Sequence, residues 1–408
     1  MNILYIAYSC SPYHGSEDQI GWNIPVESAK INRVFVITKE EQREYIEKYL
    51  RDCPLRNIEF FFVDIPEMYK RLFSGALYSG RLNIWNKRAV NVAQEICRKE
   101  GIQIIHQITP IEFRAIGDYG RIPGVKFVCG PIAGGQMIPR GLVRYIKPHA
   151  HIEIIRSIMN QWHRIRMKNS KKLQNVDYLL FANLETKEFL EGTCPVRLRT
   201  EVLTDVSIHR TELAENKTIQ KKSNIFTFAV VGRLVYLKGH AFLLDALSKL
   251  SPGYEYRCRI VGAGAELVNL KRRCTKLGLQ EYVFFEGELP YTHINSVYEV
   301  ADVLVMPSFR EATGSVLLEA MSKGLPVITI NKFGGATILD EETGWLYNGD
   351  TQEAYIDNLK IALEFCLQNP NEVQRKGQNA RRRAEMFTWD ERMKQYQQIY
   401  IDLLVAER

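Results

Sequence analysis

The chain has 408 residues, 46% of them hydrophobic and 25% charged, with 54 Lys and Arg against 47 Asp and Glu. That size and balance exclude a disordered or fibrous chain and predict two domains, each large enough to bury its own core. The net charge of +7 is mild for this length and argues for no nucleic-acid partner.

In chain order, the first apolar run, 3–8, reads as a buried strand. The loop Cys10-Ser-Pro-Tyr-His14-Gly15-Ser16-Glu17 follows it and leads into a helix carrying Gly21-Trp22. Further strands are expected at 34–38, 58–63, 102–106, 125–129 and 178–182. His106 closes the fourth of these six runs, ahead of Gln107-Ile-Thr109-Pro110, and Gly130-Pro131-Ile-Ala-Gly134-Gly135-Gln136 closes the fifth. In a parallel sheet these three loops converge on one edge. Taken alone, His106 reads as a structural histidine.

Between the fifth and sixth runs, residues 140–173 hold nine Lys and Arg, one Glu and three His. Ile152, Ile155, Met159, Trp162 and Ile165 recur there at helical spacing. A basic amphipathic helix with a Trp fits an anionic membrane surface, and it fits equally a helix packed on its own domain with its charges outward. The polar stretch 205–224, with Glu212, Asn216, Lys217, Lys221 and Lys222, is the expected linker.

The second half repeats the pattern, with strands expected at 225–231, 256–262, 282–286, 302–306 and 326–330. Near-continuous apolar strands alternating with helices indicate parallel sheets covered on both faces, hence an α/β fold of two doubly wound, Rossmann-like domains facing a central cleft. Domain boundaries are expected at 1–205 and 206–386. Thr388-Trp-Asp-Glu391 fits a capping box opening a helix, 387–408, that crosses back to the first domain.

Four loops of the second half carry chemistry. Gly232-Arg233 is followed by Lys238-Gly239 at a helix start, where two cations and free backbone N–H groups suit an anion, although a tight turn with solvated charges accounts for it as well. Gly262-Ala-Gly264-Ala-Glu266 reads by itself as a turn. Gly287-Glu288-Leu289 ends a strand and offers backbone groups to a planar base, or nothing more than a strand end. In the fourth, Glu311 sits in a loop, Gly314-Ser315 opens a helix, and Glu319 follows eight positions after Glu311 among the apolar Leu317, Leu318, Ala320 and Met321. Two carboxylates flanking a helix N-terminus suit a ligand with phosphates in the middle and hydroxyls at both ends, as in a sugar nucleotide.

The ordered set G-R-x4-K-G, V-G-x-G-x-E, F-x-G and E-x7-E resembles the donor half of the family 4 glycosyltransferases, which have the GT-B fold. The G-S-E, H-x-x-T and G-P-x-x-G-G loops are similar to those of a subset of that family, so the resemblance covers nearly the whole chain. It implies a retaining enzyme that moves a hexose from a nucleotide diphosphate, UDP foremost, to an acceptor hydroxyl; a glycan or lipid-linked acceptor is expected, an isoprenoid-linked sugar if 140–173 binds a membrane. It implies that Arg233 and Lys238, with Gly232 and Gly262, hold the diphosphate, helped by the backbone at Gly314 and Ser315. Glu319 would bind the ribose hydroxyls, Glu311 the donor sugar, and the segment from Gly287 to Leu289 the base. Gly15 and Ser16 would lie beside the donor phosphates and His106 near the reacting carbon. The chain departs from the family in having Gly15-Ser16 for a Gly-Gly pair.

No Asp-x-Asp occurs, so no metal and no separate cofactor are expected. The eight cysteines are scattered without a C-x-x-C pair, and no run approaches a membrane span. A cytoplasmic protein is therefore expected, peripheral on the inner face of the cell membrane if 140–173 binds lipid. A non-hydrolysing sugar-nucleotide epimerase and a catalytically silent partner subunit are the alternative functions.

Overall fold

The computed structural model describes the chain except residues 74, 76, 77, 144, 147, 148, 171, 214–224 and 406–408. The expected linker positions Asn216, Lys217, Lys221 and Lys222 lie outside the described residues. The chain divides into two compact units, one of Met1–Gly135, Ser157–Val206 and Trp389–Arg408, the other of Gln136–Arg156 and Ser207–Thr388.

The first unit holds a seven-stranded parallel sheet of β1 (Asn2–Ala7), β2 (Arg33–Lys39), β3 (Ile58–Val63), β4 (Ile104–Thr109), β5 (Lys126–Ile132), β6 (Tyr178–Phe181) and β7 (Arg199–Val202), ordered β3-β2-β1-β4-β5-β6-β7. β4 is buried at every position because helices cover both faces of the sheet. On one face Leu4, Ile6, Phe35 and Trp85 form a core; on the other Ile3, Tyr5 and Val36 pack with Trp389, Tyr396 and Tyr400 of the terminal helix Trp389–Val405.

The second unit holds a six-stranded sheet of β8 (Phe226–Val231), β9 (Tyr256–Val261), β10 (Val283–Gly287), β11 (Val303–Met306), β12 (Val327–Ile330) and β13 (Gly344–Tyr347), ordered β10-β9-β8-β11-β12-β13. Strand order reverses between β1 and β4 in one sheet and between β8 and β11 in the other. Beyond the carboxyl ends of strands at such a reversal, loops diverge and leave room for a ligand.

The structure corrects the expected strand count and the domain boundary. β7 and β13 are additional strands, each at a sheet edge; β7 reads Arg-Thr-Glu-Val with no apolar run, and the apolar run of β13 is only Trp345 to Tyr347. Residues 136–156, expected within the first domain, belong to the second unit. Ile138, Leu142 and Ile146 enter its core, Tyr145 stacks on Phe242 at 4.0 Å, and Glu153 is buried against Tyr236 and Arg310.

Candidate functional site

The carboxyl ends of β8 to β11 in the second unit carry the loops of interest, and two glycines let them close on one another. Gly262 has φ 142°, and a Cβ there would lie 1.9 Å from the Gly232 carbonyl oxygen. Gly239 has φ 68°, and its Cβ would lie 1.7 Å from the Pro307 carbonyl oxygen. Only glycine permits both approaches. Backbone bonds then stitch the loops together: Gly232 N donates to Val261 O at 3.0 Å, Gly262 N to Gly287 O at 2.7 Å, and Phe309 N to Leu237 O at 3.1 Å.

On this frame the Lys238 ammonium donates to the Glu311 carboxylate, with side chains 21% and 18% exposed, so the pair is partly shielded from solvent. Arg233 is exposed and makes no ion pair among the described residues. Gly314 precedes the helix Ser315–Ser322, on which Ser315 is exposed and Glu319 half-buried. The Tyr298 hydroxyl donates to Glu319 Oε2 at 2.9 Å. Burial raises the Glu319 carboxyl above the ordinary range, against the opposing pull of the Tyr298 and Ser315 hydroxyls. Leu289 is half-buried just beyond β10.

Several neighbours escape sequence reasoning. The Ser308 and Thr313 hydroxyls and His240 Nδ1 are buried beside these loops without a hydrogen-bond partner. Desolvation, then the Lys238 charge, lowers the His240 pKa to about 3, so its ring is neutral. Phe333-Gly334-Gly335 opens the helix Phe333–Ile338 that follows β12, with Phe333 at φ 58° and the Gly334 backbone against the Thr313 carbonyl. A Gly-Gly pair following an apolar strand was the available signal. Tyr236, inside the Gly232–Lys238 stretch, donates to Glu153 Oε1 at 2.6 Å and stacks on His149 at 4.2 Å.

In the first unit, Gly15 and Ser16 are exposed, and Ser16 takes φ 60° at the start of the helix Glu17–Ser28. Glu17 Oε1 accepts from Ile111 N at 2.9 Å, and burial pushes its pKa up to about 7. His106 departs from its expected place. β4 continues to Thr109, so the residue lies within the strand, and its side chain is fully buried. Nε2 donates to the Gly130 carbonyl at 2.7 Å, which leaves Nδ1 to accept from the Tyr400 hydroxyl at 2.7 Å. Desolvation lowers its pKa to about 3. Thr109, the other residue of that motif, bonds the Ser9 backbone at 2.9 and 3.0 Å. In this arrangement His106 fixes the terminal helix to the sheet and presents no nitrogen to a sugar.

Solved structures resemble the chain over its length. A Rickettsia africae glycosyltransferase aligns over 99% of this chain and 98% of its own, with a TM-score of 0.67 and 16% identity. Anabaena HepE in complex with UDP aligns over 98% and 100%, with a TM-score of 0.68 and 17% identity. The lipopolysaccharide outer core galactosyltransferase WaaB aligns over 100% of both chains, with a TM-score of 0.63 and 16% identity. The fold is GT-B. Within the second GT-B unit, residues 210–383 match the family described as glycosyl transferases group 1. That segment contains the Lys238–Glu311 pair and Glu319. A D-inositol 3-phosphate glycosyltransferase of Corynebacterium glutamicum is 31% identical over 188 residues, 44% of this chain and 44% of its own. The match thus spans less than half the length of that relative.

Proposed function

We propose that this chain is a retaining, metal-independent hexosyltransferase that uses a nucleotide diphosphate sugar, UDP-linked in the first instance. The observation that carries the reading is the Lys238–Glu311 pair, set beside exposed Arg233 and half-buried Glu319 on one group of strand-end loops. Cations and helix N–H groups can stabilise a departing diphosphate, while Glu319 and Glu311 bind hydroxyls at its two ends. The group 1 match over 210–383 supports a glycosyl donor, and the HepE complexes with UDP support the choice of base.

In this mechanism the acceptor hydroxyl attacks the anomeric carbon from the face that the diphosphate leaves. Its proton passes to the departing phosphate oxygen, and configuration is retained without a protein nucleophile. The acceptor is a glycan or a lipid-linked sugar, used at an anionic membrane surface that the helix Ala150–Lys168 contacts. The exposed apolar side chains of the helix Ala150–Lys168 support that surface; no described helix is long and apolar enough to cross a membrane.

Screening nucleotide sugars for thermal stabilisation tests the donor, since a bound ligand raises apparent stability by mass action. A UDP-sugar should stabilise the protein with and without a chelator, and transfer should follow with the anomeric configuration kept. Stabilisation by no nucleotide sugar would overturn the reading.

A further inference from the structure

The helix Ala150–Lys168 is inverted relative to an ordinary surface helix. Ile154, Ile155, Ile158, Trp162 and Ile165 are all more than half exposed, whereas Glu153 and Asn160 are buried. The Arg166 guanidinium lies 5.3 Å from the Trp162 ring, so the apolar face and the basic charge adjoin.

Behind that face, within the first unit, is a cavity of about 160 Å³ lined in part by Asn83, Arg114, His163, Arg166, Ser170 and Lys172. Its charge is one-sided. Arg166 and Lys172 have no carboxylate within ion-pair distance among the described residues, and Arg114 is the only one of the three cations so paired, with Glu112. Lys172 Nζ is held by donation to the Ile116 carbonyl at 2.8 Å and to Asn83 Oδ1 at 3.4 Å, which fixes it at the cavity wall; burial opposes its charge, Asp118 attracts it from beyond ion-pair distance, and Arg166 and Lys87 repel it. Desolvation, then the nearby Arg114 and Arg166, depresses the His163 pKa to about 4, so its ring is neutral.

We propose that this cavity binds the phosphoryl group of an acidic phospholipid, with the acyl chains lying along Ile158, Trp162 and Ile165. A phosphate accepts from several donors at once and neutralises converging cations, here Arg166 and Lys172, the two that Glu112 leaves without an ion pair among the described residues. The adjoining apolar face selects the lipid source over free phosphate. The inference deepens the membrane-surface reading above and is independent of the sugar donor.

The test uses the full chain with dihexanoyl phosphatidylglycerol, inorganic phosphate, and phosphatidylcholine vesicles with and without phosphatidylglycerol. Arg166→Gln and Lys172→Gln should each weaken the short-chain lipid by about tenfold, the scale of one charge-assisted hydrogen bond. Trp162→Ser with Ile165→Ser should abolish vesicle binding and leave the cavity able to hold phosphate. Undiminished short-chain lipid binding in both cation variants would overturn the proposal, and Arg166→Gln, altering an exposed side chain, keeps it testable if Lys172→Gln unfolds. Inorganic phosphate binding as tightly as the lipid would overturn the lipid assignment. Short-chain lipid binding without vesicle binding would sink the membrane-surface reading and leave the cavity assignment standing.

Discussion

The Lys238 ammonium and the Glu311 carboxylate, 73 positions apart in sequence, form an ion pair where the loops after β8 and β11 meet. Each is about four-fifths shielded from solvent, so neither charge is freely hydrated when its partner is removed. We predict that Glu311→Gln lowers kcat by roughly a hundredfold, the scale of losing one group aimed at developing charge, with little change in donor KM. Lys238→Gln should raise donor KM and cost on the order of 1 kcal/mol of stability. Steady-state kinetics and urea denaturation check both, and full activity in the two variants would remove them from the site.

Glu319 is separated from Glu311 by the start of the helix Ser315–Ser322, and Tyr298 holds its carboxylate. Glu319→Ala should therefore lose about tenfold to a hundredfold in donor affinity, as expected for two lost hydroxyl contacts, while turnover at saturating donor persists. Tyr298→Phe should reproduce part of the loss by freeing the carboxylate. Titration calorimetry with UDP and UDP-sugar separates the two, and unchanged affinity in Glu319→Ala would refute its role.

His106 gives a pH prediction. Its pKa falls from 6.5 to about 3 because burial disfavours the imidazolium, and the Tyr400 hydroxyl donates to the nitrogen that would take the proton. The unfolded chain therefore binds the proton first. The neutral ring stabilises the fold fully above pH 6.5, and that contribution is lost as pH falls from 6.5 toward 3. His106→Gln should be less stable at pH 7.5, yet its stability should fall less steeply over that window, by a few kcal/mol in total. Parallel slopes for the two proteins would show that His106 does not titrate on unfolding.

These residues also mark how far sequence carried. Strands buried on both faces are legible because only long apolar runs survive there, and the loops that follow them were found with their glycines. β7, reading Arg-Thr-Glu-Val, was invisible because an edge strand alternates exposed with half-buried positions. Ile138, Leu142 and Ile146 lie in the second unit's core, and their apolar character alone does not say which core they enter. Taken alone, His106 reads as a structural residue, in keeping with its buried bonds to Gly130 and Tyr400; only the family resemblance put it near the reacting carbon, and its strand runs three residues past the expected end. The partners of Glu319 and Lys238 are long-range, and periodicity carries no information about such pairs.

The same blindness hid Glu153, the single acid in the basic segment 140–173, which is 5% exposed and paired with Arg310 and Tyr236. Removing one member of a buried pair strands the other charge, whereas replacing both with apolar groups of similar volume removes the desolvation cost as well. Glu153→Met should thus destabilise the second unit by about 3 kcal/mol, and adding Arg310→Met should restore much of that loss. Tyr236 lies between Gly232 and Lys238, so Glu153→Met should also weaken donor binding by loosening that loop. A double-mutant cycle read by both urea denaturation and UDP titration checks the coupling. Additive losses would mean that the two charges act independently, and intact UDP binding in Glu153→Met would mean that Tyr236 is held by the rest of its loop.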